Sequence, residues 1–264
     1  MADIYTLGID LGSSTSKGVV LRNGREIAGS AVIGAGTGTT GPQRAFEACL
    51  SDAGIDISRI ANITSTGYGR NRFDKADLVI SELSAHVLGV HTMYPEARTL
   101  LDIGGQDAKA MTISSSGKLE NFIMNDKCAA GTGRFLEVMA RVLEVSVDDL
   151  EDLDAQAEET VSISSTCTVF AESEVISQLA RGADIPGLVR GINTSVAAKA
   201  ASLLKRLGVT EPVYMTGGVA RNAGVVRALE KELETVITVS EIQQLNGAFG
   251  AAVYGYGRIR DGRR

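Results

Sequence analysis

Residues 6–17 read TLGIDLGSSTSK, and residues 98–109 read RTLLDIGGQDAK. Overlaid without a gap, 92 residues apart, they place Asp10 on Asp102, Gly12 on Gly104 and Lys17 on Lys109. In each copy an apolar run ends in Asp, a Gly-containing turn follows, and a second strand-like run leaves the turn. Glycine and serine let the backbone approach a ligand with its N–H groups turned outward, an arrangement that binds phosphate oxygens. The strand-end Asp repels phosphate but suits Mg²⁺ or a Mg²⁺-bound water. Lys17 and Lys109 would add positive charge. One copy alone reads equally well as an ordinary β-hairpin with a turn Asp and Gly. Two copies in one register point to a duplicated supersecondary unit, a pair of hairpins facing each other as a polyphosphate clamp.

Composition narrows the classes around that clamp. At 264 residues the chain suits two modest domains, each able to bury a core. A net charge of −6, 5% aromatic residues and no Trp argue against a nucleic-acid footprint or base-stacking surface. No apolar stretch approaches the roughly 20 residues that span a bilayer. MADIYTLGID lacks a basic segment followed by an apolar one, so no signal peptide is read there and a cytoplasmic location is expected. In a reducing compartment, structural disulfides are not expected from the three cysteines.

Along the chain, residues 4–33 read as three strands with a turn at Asn23-Gly24, 41–53 as a helix, 61–66 as a strand running into TGYGRN, and 79–93 as helical. After the second hairpin, a strand at 119–124 leads into NDKCAAGTGRF and a helix. The acidic stretch 148–154 reads as a solvated helix or loop, and 168–181 as a helix. Ile185, Leu188, Val189, Ile192, Val196, Ala200, Leu203 and Leu207 form a helical stripe that Gly208 closes. A strand at 212–216, a helix from about 220 and a last helix over about 244–258 complete the reading. Strands precede helices in each half, which predicts an α/β chain of two similar domains: residues 1–97 with about 244–264, and 98–243. His86 and His91 read as a helix and a loop residue without a metal role.

MTGGVARNAG (215–224) is strand, Gly-Gly, helix; glycines there allow backbone to lie against a planar ligand, and the helix start favours phosphate. By itself it is also a common strand-to-helix turn. The order of two phosphate loops and a Gly-Gly loop resembles the superfamily of acetate and sugar kinases, heat-shock ATPases and actin. That resemblance implies two ribonuclease-H-like domains closing over ATP and Mg²⁺ in a cleft.

Cys49, beside Phe46 at a helical position, reads as core. Cys128 and Cys167 each stand just before a helical pattern, at a helix N-terminus, where thiol pKa falls and anions are favoured. They read either as small turn residues or as half of a Cys₄ set that a two-fold dimer completes. Such a set would hold a 4Fe-4S cluster or a stapling zinc.

NDKCAAGTGRFL and SISSTCTVFAESEVISQL, with DIGGQDAK, TGYGRN and MTGGVARN, resemble the ATP-dependent activators of 2-hydroxyacyl-CoA dehydratases. Those activators, also called archerases or component A, are grouped with the ATPase subunits of benzoyl-CoA reductases. The resemblance covers nearly the whole chain. It implies a homodimer with one bridging 4Fe-4S cluster held by Cys128 and Cys167 of each chain. It further implies ATP-driven transfer of one electron from ferredoxin or flavodoxin to a dehydratase, where a ketyl radical permits water elimination. It places Gly12, Ser13, Ser14, Thr15, Ser16 and Lys17 at the first phosphate site, with Asp10 organising Mg²⁺. Gly104, Gly105, Gln106 and Asp107 fall at the second, where Asp102 or Gln106 would orient the attacking water. Gly131, Thr132, Gly133 and Arg134 would link nucleotide to cluster through helices that start after Cys128. Gly217, Gly218, Asn222 and Gln244 would face adenosine. Glu172 and Glu174 read equally as acids favoured at a helix start. TGYGRN carries no role on sequence grounds. A small-molecule kinase of the same fold and an ATP-switched interaction protein stay open as alternatives.

Overall fold

The computed structural model describes residues 3–164 and 167–262. Ser165 and Thr166 of the second cysteine block therefore lie outside the described residues. Strands β1 (Tyr5–Leu11), β2 (Ser16–Arg22) and β3 (Glu26–Ile33) form an antiparallel meander. Asn23 and Gly24, with φ of 53° and 72°, supply the two left-handed positions of its second turn. Helix α1 (Gly41–Ala53) packs Phe46 and Cys49 against Leu7, Ile9 and Val20. Strand β4 (Ile60–Thr66) joins β1 in parallel, and the short β5 (Leu78–Val79) joins β4. The sheet order is β3-β2-β1-β4-β5. Helix α2 (Glu82–Met93) starts at Ser81, whose hydroxyl accepts from the Ser84 N–H. It carries both His86 and His91, so His91 is helical rather than a loop residue.

The second sheet repeats the first. Strands β6 (Thr99–Ile103), β7 (Ala108–Ile113) and β8 (Leu119–Asn125) form its meander side. Helices α3 (Gly133–Val142), α4 (Leu150–Gln156), α5 (Thr168–Ala180) and α6 (Ile185–Leu207) follow. Strand β9 (Val213–Thr216) then pairs in parallel with β6, helix α7 (Ala223–Leu233) crosses over, and β10 (Ile237–Val239) adds beside β9. Read from β8, the order β8-β7-β6-β9-β10 matches the first sheet strand for strand. A turn-linked strand pair and a parallel crossover are thus used twice, giving an α/β chain with two mixed sheets.

Contacts divide the chain into one unit of residues 1–98, 113–120 and 240–264, and a second of 99–112 and 121–239. In the first, helix α8 (Asn246–Arg260) lies so close to β1 that a methyl group at Gly8 would overlap the Ala248 carbonyl. In the second, Leu101 and Ile103 of β6 meet Phe135, Met139, Leu188 and Ile192 in one core. Helix α6 is capped at both ends: Asp184 accepts from the Gly187 N–H at 2.8 Å, and Gly208 closes it at φ 90°. The acidic stretch differs from its reading as a solvated segment. Leu150 and Asp154 of α4 are buried, because Asp154 answers polar groups on α6 and α7.

Candidate functional site

The strand pairing fixes the first hairpin. Asp10 lies opposite Lys17 across β1 and β2, and Lys17 Nζ stands 3.2 Å from Asp10 Oδ2. Asp10 is buried, and its Oδ1 has no hydrogen-bond partner among the described residues. An orphaned buried carboxylate oxygen is costly, and a hard divalent cation is the ligand that answers it. The donor set therefore fits Mg²⁺. Lys17 neutralises Asp10 instead of standing free for phosphate. Ser16 differs from its expected role: it is buried, and its hydroxyl donates to the Ala35 carbonyl at 2.8 Å, which turns it away from any ligand. Gly12, Ser13, Ser14 and Thr15 make the half-buried turn. The Thr37 N–H donates to the Gly12 carbonyl at 2.9 Å, so the planar peptide sends the Ser13 N–H the opposite way.

The second hairpin repeats the register, Asp102 opposite Lys109, with different chemistry. Lys109 is buried at 2% exposure, 2.7 Å from Asp107 Oδ1 and 3.5 Å from Asp102 Oδ2. Asp102 also accepts from Thr216 Oγ1 at 2.8 Å. Lys109 is thus an internal counter-ion, and Asp102 is held on both oxygens. Gln106 is exposed at the tip of the turn. The first N–H groups of α3 donate to this turn, Gly133 to the Gly104 carbonyl at 2.9 Å and Arg134 to the Gly105 carbonyl at 2.7 Å. Peptide planarity then points the Gly105 and Gln106 N–H groups away from α3, which leaves them able to donate to an anion.

The loop from Cys128 runs directly into that cap. Helix α3 begins at Gly133, so Cys128 sits five residues ahead of it rather than at its N-terminus. Asn125 Nδ2 donates to the carbonyls of Cys128 (2.9 Å) and Ala130 (3.3 Å), and Thr132 Oγ1 donates to Ala129. Gly131 turns the chain at φ 83° against Lys199. Cys167, by contrast, is the N-cap residue of α5. Upstream of it, Ser164 donates both its N–H and its hydroxyl to the Glu174 carboxylate at 2.9–3.1 Å. Glu174 is thus a brace and not merely an acid near a helix start. Cys128 and Cys167 are exposed free thiols, while burial pushes the Cys49 thiol up to about 12. Two accessible thiols at loop positions are donors of the type that holds an iron–sulfur cluster.

The third expected site, around Gly217, is built differently from its reading. Gly217 is buried at φ 90°, and Gly218 is exposed at the head of a 3-10 turn. Asn222 is buried, and its side chain is consumed: Oδ1 caps α7 by accepting from Gly224 and Val225, and Nδ2 donates to Asn193 Oδ1 at 3.0 Å. Asn193 donates in turn to Asp154, which also binds Arg227. Asn222 therefore shapes the glycine loop instead of facing adenosine. A buried Asn193 inside the apolar stripe of α6 was the sequence signal for this network. Gln244 lies in the other unit, half-buried just before α8.

TGYGRN takes its place from the pairing. Thr66 lies beside Asp10 in β4 and β1, as Thr216 lies beside Asp102 in β9 and β6. Gly67 and Gly217 follow with φ of 87° and 90°. TGYGRN is the first-half counterpart of the Gly-Gly loop, closing the end of β1 through the Gly69 N–H to Leu11 carbonyl bond at 2.8 Å.

A model of the BadF/BadG/BcrA/BcrD ATPase family matches residues 7–255. The 2-hydroxyisocaproyl-CoA dehydratase activator of Clostridioides difficile is 52% identical over 261 residues, covering 99% of this chain and 98% of that protein. The solved structure of the activator of the 2-hydroxyisocaproyl-CoA dehydratase from Clostridium difficile with bound ADPNP superposes with a TM-score of 0.96, covering 98% and 97% of the two chains. The (R)-2-hydroxyglutaryl-CoA dehydratase activating ATPase of Acidaminococcus fermentans is 50% identical over 254 residues, covering 96% and 97%. A ROK family glucokinase from Streptomyces griseus shares the fold alone, at 14% identity and a TM-score of 0.59 over 96% and 99% of the chains. Among the described residues no helix is long and apolar enough to cross a membrane.

Proposed function

The chain belongs to the BadF/BadG/BcrA/BcrD ATPase family, and from that premise we propose that it is the ATP-hydrolysing activator of a 2-hydroxyacyl-CoA dehydratase. In this reading it works as a homodimer in the cytoplasm and takes single electrons from ferredoxin or flavodoxin. Cys128 and Cys167 of both copies hold one 4Fe-4S cluster, which when bound supplies one-electron storage at low potential. Asp10 holds Mg²⁺. The turn at Gly12–Thr15 and the turn at Gly104–Gln106 each offer backbone N–H groups to phosphate oxygens. Gln106, exposed at its turn, orients the attacking water, which in phosphoryl transfer is chiefly a matter of positioning.

The observation that carries the reading is the bonded path inside the second unit. The phosphate turn accepts from the N–H groups of Gly133 and Arg134, and the same cap ends the loop that starts at Cys128. Nucleotide-dependent movement of Gly104 and Gly105 is thereby delivered to a cysteine segment. Differential affinity for ATP between two arrangements of that segment supplies the driving force.

The test is iron and acid-labile sulfide per chain in anaerobically purified protein, with EPR of the dithionite-reduced sample. About two irons and two sulfides per chain, absent from Cys128→Ser and Cys167→Ser, is the expected result. Zinc, or no metal after reconstitution, would overturn it. A kinase would instead keep phosphotransfer to a small acceptor in both cysteine variants.

A further inference from the structure

The duplicated Thr–Asp pair is wired differently in its two copies. In the second, Thr216 Oγ1 donates to Asp102 Oδ1 at 2.8 Å. In the first, the register is the same, yet Thr66 Oγ1 and Asp10 Oδ1 are both buried without a hydrogen-bond partner among the described residues. Thr66 is 0% exposed and Asp10 3%. Gly67, at φ 87°, closes over the carboxylate so tightly that a methyl group there would overlap Asp10 Oδ1. Buried oxygens left unpaired destabilise a fold, and the second copy proves that the same backbone can pair them. Two unpaired buried oxygens at the strand ends, where α/β sheets take their ligands, mark a place kept for something that binds.

We propose that Thr66 is a positioning residue for the divalent cation that accompanies ATP. Its hydroxyl and Asp10 Oδ1 together take the hydrogens of a Mg²⁺-bound water, since Mg²⁺ keeps most of its hydration shell. The role of Thr66 rests on the ATPase reading above and adds to it a residue from TGYGRN. It also distinguishes the copies: the Thr216–Asp102 pair is hydrogen-bonded, and the Thr66–Asp10 pair is left unpaired for the cation.

The experiment compares Thr66→Val, Thr66→Ser and Thr216→Val, using Mn²⁺ with ADP as the EPR-visible probe. Thr66→Val is expected to weaken Mn²⁺ binding about tenfold, the usual cost of losing a residue behind a metal ligand. It keeps ADP binding in EDTA within about twofold and a Tm at or above that of the unmodified protein, because removing an unpaired buried hydroxyl relieves a cost. Thr66→Ser restores the affinity. Thr216→Val lowers Tm by several degrees, because it removes the buried Thr216–Asp102 hydrogen bond. Unchanged Mn²⁺ affinity in Thr66→Val would overturn the proposal, as would a Tm loss matching that of Thr216→Val. Failure of the unmodified protein to bind Mn²⁺ with ADP would overturn the nucleotide reading itself.

Discussion

Asp10 and Asp102 hold one position in one repeated motif, and their surroundings give them different work. Asp102 balances Lys109, which is buried at 2% exposure, and accepts from Thr216. Asp102→Asn should therefore lower folding stability by about 2 kcal/mol, the scale of a lost hydrogen bond to a charged group, since Lys109 keeps Asp107 at 2.7 Å, measured by urea unfolding. Asp10→Asn should leave urea stability far closer to normal and lower Mg²⁺-dependent ATP hydrolysis by about 100-fold, on the scale of removing one preorganised electrostatic group. Equal stability losses in the two variants would contradict the division. Cys49 gives the pH-dependent prediction. Burial raises its thiol from 9.0 to about 12. A raised folded value means that the stabilising difference is intact below pH 9 and is lost as pH rises towards 12, because the unfolded chain ionises first. Stability should fall across that window, and less steeply in Cys49→Ala. At pH 8, iodoacetamide followed by mass spectrometry of the metal-free native protein should mark Cys128 and Cys167 and spare Cys49.

Elements were legible where one local rule decides them. The hairpins follow from an apolar run, a terminal Asp and a Gly turn. Helix α6 follows from its stripe and Gly208, while its Asp184 cap was not read in advance. What escaped sequence reading was set by partners distant in the chain. Asp154 looked solvated because Asn193 and Arg227, which bind it, lie 39 and 73 residues away. Asn222 was expected at the ligand only through the family resemblance, and a polar group beside glycines suits a cap equally well. Asn222→Ala should cost about 2–3 kcal/mol in urea unfolding, combining a lost helix cap of about 1 kcal/mol with stranded buried polar groups. A cost near zero would show that the network is not structural. The two cysteine segments were legible as special, but their braces were not: Asn125 reaches the Cys128 carbonyl and Glu174 reaches back ten residues to Ser164. Hydrogen exchange over residues 161–164 and 167–174 should accelerate in Glu174→Ala and much less in Glu174→Gln, whose amide oxygen still accepts from Ser164.

At the scale of the whole molecule, the two sheets have the same strand order, and among the described residues the second has its glycine turn bonded to a cysteine-bearing loop while the first does not. Duplication was readable from two aligned motifs 92 residues apart. The asymmetry was not, because backbone bonds leave no mark on residue identity. On the proposed function the asymmetry carries the coupling, and Gly133→Pro tests it. Gly133 is the first residue of α3, the position where proline is best tolerated in a helix. Thr132 before it is already extended, at φ −128° and ψ 172°, as a residue preceding proline prefers. The substitution removes the N–H that donates to Gly104, and its ring crowds the Gly104 carbonyl, which even a Cβ at this position would approach at 3.1 Å, so the turn is pushed off the helix start and the Arg134–Gly105 bond is strained with it. In the unmodified protein, iron release to a chelator should proceed at different rates with ATP and with ADP. In Gly133→Pro both rates should converge while ATP still binds and far-UV circular dichroism stays unchanged. A variant that preserved the full difference between the nucleotides would show that the signal to Cys128 travels by another path.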